Sequence, residues 1–112
     1  MADCIFCGIV EGSIPSTIVA TGERVIAFED VNPKAPVHVL VIPREHLDDV
    51  HAIEDGTLLR DMYELARQVA EERGVARSGY RLVFNIGPDS GQSVFHAHLH
   101  VLGGRHLAWP PG

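Results

Sequence analysis

The stretch Ser93-Val94-Phe95-His96-Ala97-His98-Leu99-His100-Val101-Leu102 (residues 93–102) alternates apolar and polar residues with a period of two. That alternation is the pattern of a half-buried β-strand. In a strand, alternate side chains share a face. Phe95, Ala97, Leu99 and Val101 are expected on one face, and His96, His98 and His100 on the other. At about 3.3 Å of rise per residue, neighbouring histidines would stand roughly 6.6 Å apart and the outer two roughly 13 Å apart. A zinc–nitrogen bond is only about 2 Å long. Two neighbouring histidines could chelate one ion, but three on a flat strand hardly could. The three imidazoles are therefore expected to hold at least two different jobs.

The same reading extends along the chain. YRLVFNI (80–86) is a strand joined to the histidine stretch by Gly87-Pro88-Asp89-Ser90-Gly91-Gln92. TIVAT (17–21) and RVIAFE (24–29) flank Gly22-Glu23, a hairpin pattern. Asp30 to Pro36 carries two prolines and reads as a loop. VHVLVIP (37–43) is a third strand, with His38, Leu40 and Ile42 on one face and Val37, Val39 and Val41 on the other. From about Asp55 to Arg73 the period becomes helical, with Leu58, Met62, Leu65 and Val69 forming an apolar stripe. Asp55 or Thr57 suits the N-cap, and Gly74 the C′ position. CIFCGIVEGSIPS, near the start, is a short apolar piece ending in turn residues. Five strands with one long helix after the third, joined by short connections, predict mostly antiparallel pairing and an α+β domain spanning 1–112.

Composition narrows the class. A chain of 112 residues suits one core, and 46% apolar content suits a globular protein rather than a disordered one. A net charge of −6 argues against a broad grip on nucleic acid or anionic membrane. MADCIFCGIV lacks the pattern of a secretory signal, and no stretch approaches the length of a membrane-spanning helix. Two cysteines do not make a disulfide scaffold. A cytoplasmic protein is the expectation.

The segment NIGPDSGQSVFHAHLHVLGGR resembles the signature of the histidine triad family, His-x-His-x-His framed by apolar residues. The likeness extends over IFCGIVEGSIPS and AFEDVNPKAPVHVLVIPREH, and is greatest to the Hint branch, which typically ends in a tail like Trp109-Pro110-Pro111-Gly112. The resemblance implies a five-stranded antiparallel sheet with one long helix, in a homodimer whose central strands make a continuous sheet. It implies hydrolysis of nucleoside phosphoramidates or aminoacyl-adenylates through a nucleotidyl-histidine, releasing nucleoside monophosphate. Purine nucleotides such as AMP conjugates would be the ligands, and the tail from 105 to 112 would lie near the partner's active site.

Residue by residue, the resemblance makes His98 the nucleophile. A neutral imidazole is available near pH 7, because its ordinary pKa is about 6.5. It can attack phosphorus and form an intermediate that water resolves. One ring nitrogen should then be held by an acceptor so that the other presents its lone pair. His100 and His38 match family positions around the phosphate. On sequence alone His38 fits a buried core histidine equally well. Ser93 and Asn85 resemble residues that hydrogen-bond the phosphate and leaving group, with Gly91 and Gln92 from the same loop. Gly87 and Gly91 let backbone N–H groups approach an anion closely. Asp30 resembles the carboxylate that binds ribose hydroxyls, and Phe6, Ile9, Phe28, Val31 and Leu40 resemble the base pocket. Several of these apolar residues also read as plain core. No lysine or arginine lies between Leu82 and Gly104. This suits a substrate with one phosphate charge, unless a basic residue arrives from elsewhere in the fold.

Cys4-Ile5-Phe6-Cys7 is a C-x₂-C pair. Alone it is a redox pair, half a zinc site, or chance. The redox reading wants a preceding strand, and only three residues precede Cys4. A zinc site needs two more ligands. The resemblance to zinc-containing members of the superfamily supplies His46 and His96, with His51 as the competitor. Four protein ligands would close the site to water and make it structural. Two other classes stand beside the enzyme: a nucleotide-binding regulatory module with little turnover, and a metal-handling protein. The last leaves the loop glycines and Asn85 without a purpose.

Overall fold

β-Branched and aromatic residues fill the period-two runs, and in the computed structural model of this chain, which describes residues 4–112, those runs are strands. They are β1 (Ile18–Thr21), β2 (Val25–Glu29), β3 (Val37–Pro43), β4 (Tyr80–Phe84) and β5 (Leu99–Gly103). The helical stripe becomes α2 (Gly56–Glu72). Asp55 caps it, accepting a hydrogen bond from the Thr57 N–H. At its end the Val75 N–H reaches the Ala70 carbonyl and the Gly74 N–H the Glu71 carbonyl, the two bonds of a Schellman motif.

The strands form one antiparallel sheet in the order β1-β2-β3-β5-β4. Both faces of its centre are covered. On one, Val25, Ala27, Val39, Val41, Leu99 and Val101 meet the α2 stripe of Leu58, Met62, Leu65 and Val69. On the other, Ile26, Phe28, Leu40 and Ile42 pack around Phe6. All seven residues of β3 are buried. Each apolar side chain taken fully out of water there contributes about 1.5–3 kcal/mol relative to exposure. The α+β sheet with one long helix agrees with the sequence expectation.

Two features differ from it. The N-terminal apolar piece is a helix, α1 (Ile5–Glu11), capped by the Cys4 sulfur, which accepts from the Cys7 N–H at 3.3 Å. Its seven residues are two turns, too few for a periodic signal. The histidine stretch is also only partly a strand. β5 begins at Leu99, and residues 93–98 leave the sheet. The β3 register pairs Val41 with Leu99, so Ala97 would face Pro43, which has no N–H to donate. The Ala97 N–H instead reaches the Leu47 carbonyl at 2.6 Å. Phe95, expected on the core face, is 51% exposed.

Candidate active site and metal centre

The face opposite α2 carries a cavity of about 510 Å³. β2 and β3 supply its floor through Phe28, His38 and Leu40, and α1 its apolar wall through Phe6 and Ile9. Ser93, His98 and His100 enter from the C-terminal third, and Asp30, Val31 and Lys34 from the β2–β3 loop. Val31 is 88% exposed and forms the open rim. Asn85, Gly91 and Gln92 do not line the cavity. The Gln92 amide is engaged within the protein: it accepts from the Gly87 N–H at 2.8 Å and donates to the carbonyls of Asp48 and Val94. Gly87 and Gly91, at φ 82° and 87°, bound the short 3₁₀ turn Pro88–Ser90 that Gln92 fastens.

Proton positions in the histidine cluster follow from its partners. The His98 Nδ1 donates to the His96 carbonyl at 2.7 Å, so Nε2 of the neutral ring carries the lone pair. The Lys34 backbone N–H donates to His38 Nδ1 at 3.0 Å, which puts the His38 proton on Nε2. That N–H points to His100 Nδ1 at 2.9 Å, with Asp30 Oδ2 at 3.3 Å. His100 must then carry its own proton on Nε2. This nitrogen is buried and has no partner among the described residues. A buried N–H beside a cavity and without an acceptor is a donor for a ligand's oxygen. His38 and His100 meet because β3 and β5 pair Leu40 with His100 and His38 with Leu102, a diagonal on one face.

The rings are held neutral. Burial pushes His98 below its ordinary value, opposed by the bond to the His96 carbonyl and by Asp30. Burial also lowers His38, again against Asp30. His100 is pushed down to about 4, by burial first and then by His98 and His38. At neutral pH the cluster therefore offers one unprotonated nitrogen at His98 and one free N–H at His100.

Behind this cluster, Cys4, Cys7, His46 and His96 bring four donor atoms within 4.8 Å of one another. Cys4 Sγ lies 3.4 Å from His96 Nδ1, and Cys7 Sγ lies 3.3 Å from His46 Nδ1 and 3.6 Å from His96 Nδ1. A zinc tetrahedron with sulfur at about 2.3 Å and nitrogen at about 2.0–2.1 Å has sulfur–nitrogen edges of about 3.5 Å. The opposite ring nitrogens are also fixed. His46 Nε2 donates to Asp48 Oδ1 at 3.0 Å and His96 Nε2 to the Pro43 carbonyl at 2.9 Å. Such outer partners orient imidazole ligands. The donor set is compatible with zinc. His51 is exposed in the 3₁₀ turn Val50–Ala52 and stands outside the cluster.

Sequence reasoning missed Lys34 as a pocket residue. Lys34 is remote from the triad in sequence, arrives on the β2–β3 loop, and meets His38 with its backbone N–H rather than its charge. It also missed Ile14, Pro15 and Ser16, which follow α1 and close the apolar end. A helix at 5–11 would have pointed to them.

Comparison with known proteins agrees with this arrangement. A protein-family model described as the HIT domain matches residues 11–107. A HIT family hydrolase from Clostridium thermocellum is 47% identical, with a TM-score of 0.93 over 96% of each chain. A HIT family hydrolase from Legionella pneumophila is 43% identical, with a TM-score of 0.94 over 98% of this chain and 100% of that one. A 14 kDa zinc-binding protein of Zea mays is 44% identical over 96% of this chain and 87% of its own length. With the domain match spanning most of its length and the histidine cluster seated in the same fold as these hydrolases, the chain belongs to the HIT family.

Proposed function

We propose that the protein is a nucleotide hydrolase of the Hint type, acting on nucleoside phosphoramidates or aminoacyl-adenylates. The observation that carries this reading is the His98 ring: its Nδ1 proton is tied to the His96 carbonyl, and it lines the same cavity as Asp30, Ser93 and His100. Nε2 of His98 attacks phosphorus. A nitrogen–phosphorus bond forms, and the bond from phosphorus to the leaving amine or carboxylate breaks. The free His100 Nε2–H is placed to bond a phosphate oxygen, and His38 holds His100 in that tautomer. Water then attacks phosphorus, releasing nucleoside monophosphate and restoring His98. Asp30 takes the ribose hydroxyls, and Phe6, Ile9, Phe28 and Val31 take a purine base. Ser93, which lines the cavity, serves the phosphate end, and Gln92 holds the loop before it through its bonds to Gly87, Asp48 and Val94.

The reading includes one structural zinc on Cys4, Cys7, His46 and His96, and no metal in the chemistry. It includes a cytoplasmic homodimer whose sheet continues through β4, which like β1 lies at an edge of the sheet. His98→Ala tests the whole. The variant should fold, bind AMP and lose turnover of an adenosine phosphoramidate, and wild type should yield a base-stable phosphorus–nitrogen adduct. Turnover by His98→Ala near the wild-type rate defeats the proposal. Full biological function in that variant would favour the regulatory module instead.

A further inference from the structure

We infer that the metal centre positions the nucleophile, so that filling Cys4, Cys7, His46 and His96 and binding nucleotide are coupled events. This rests on the reading of His98 given above. Residues 93–98 lie outside the sheet, and no ladder bonds hold them. Their fastenings converge on residues 43–48. His96 Nε2 goes to the Pro43 carbonyl, the Ala97 N–H to the Leu47 carbonyl, and the adjacent Gln92 amide to the Asp48 carbonyl. That short segment carries His46, whose Nδ1 faces Cys7 and whose Nε2 is held by Asp48. The four donors thus tie α1, residues 43–48 and residues 92–98 together at one point, in addition to the three hydrogen bonds above and the packing of Phe6 and Val94 against β2 and β3.

His96 serves two roles at once. Its ring faces the two sulfurs, and its carbonyl accepts the His98 proton that fixes the reactive tautomer. Phe6, between the two cysteines in sequence, carries the second link. Its ring sits edge-on to His96 and His98, with centroids 5.9 and 5.1 Å away, and it lines the cavity. His38 and His100 are a built-in contrast. The β3–β5 ladder registers them, and they need no metal to meet. His46 and His96 are therefore positioning residues for His98.

The test compares zinc-loaded protein with protein stripped by a chelator, both checked for helix content by circular dichroism. Nitrogen-15 spectra should show the His98 Nδ1–H signal shift or broaden on stripping, while the His38 Nε2–H signal holds. The AMP Kd should rise tenfold or more, and by reciprocity AMP should tighten zinc binding by the same factor. His46→Cys, which keeps a four-donor set, should match zinc-loaded wild type in both readouts when itself loaded with zinc. An unmoved His98 signal with an unchanged AMP Kd in folded, stripped protein overturns the inference. Should stripping cost the helix signal, zinc-loaded His46→Ala, which keeps three donors, replaces the stripped sample under the same criteria. If AMP binds neither form but the His98 signal moves, the positioning role stands and the nucleotide reading falls.

Discussion

Gln92 is 6% exposed, and its side-chain amide fastens the loop before the triad through three hydrogen bonds. Replacing it with leucine keeps the volume and removes every one of them. Each such bond is worth about 0.5–1.5 kcal/mol net, and a buried group left unpaired costs about 1–3 kcal/mol. Asp48 is exposed, so water can reach its carbonyl and soften one of the three losses. The Gly87 N–H and Val94 carbonyl are half-buried and recover less. The expected cost of Gln92→Leu is about 2–3 kcal/mol. With an unfolding entropy of about 2.1 cal/mol/K per residue, a 112-residue chain should lose roughly 9–13 °C in Tm. Freeing the loop also lets Ser93 and His98 drift, and about 1 Å of misplacement costs roughly 100-fold. kcat/KM on an adenosine phosphoramidate should thus fall about 10- to 100-fold. Differential scanning calorimetry and steady-state kinetics read the two effects. A Tm within about 3 °C of wild type would refute the reasoning, because the amide would then carry no structural load.

Three further outcomes are expected. His100 stays neutral down to about 4 in the folded protein, while the unfolded chain takes up the proton near 6.5. The unfolded state therefore binds more protons between those values, and stability should fall as pH drops through that window. Urea midpoints across it should show the fall, with a weaker slope in His100→Gln; equal slopes would defeat the assignment. A Cβ on Gly8 would stand 2.4 Å from Ile14 Cδ1, so Gly8→Ala should cost about 1–3 kcal/mol and weaken AMP binding by displacing a cavity residue. An unchanged AMP Kd by calorimetry would count against it. Trp109 is 78% exposed, and deleting residues 108–112 should leave the oligomeric state intact but change the ranking of leaving groups by kcat/KM. An unaltered ranking removes the tail from selection, and a monomeric wild type removes the cross-subunit role.

What the sequence determined by itself was whatever a short window encodes. Period-two runs located the strands, and VHVLVIP coincides with β3 residue for residue. The stripe at Leu58, Met62, Leu65 and Val69, with Asp55 before it and Gly74 after it, bounded α2. These signals survive because a cap or an amphipathic face involves neighbours a few residues apart. The histidine spacing also implied divided labour, and His96 and His98 do face different partners. The tertiary structure decided the rest. α1 is only two turns and is held by Phe6 packing and a cysteine cap, neither of which a periodic pattern encodes. β5 starts late because Pro43, far off in sequence, denies it a partner. Cys4 and His96 meet across 92 residues, His46 rather than His51 faces the cysteines, and Lys34 gives its backbone N–H to His38. Each of these depends on which strands pair and in what register. Pairing is settled by the competition of whole faces for burial, which no local stretch of sequence contains.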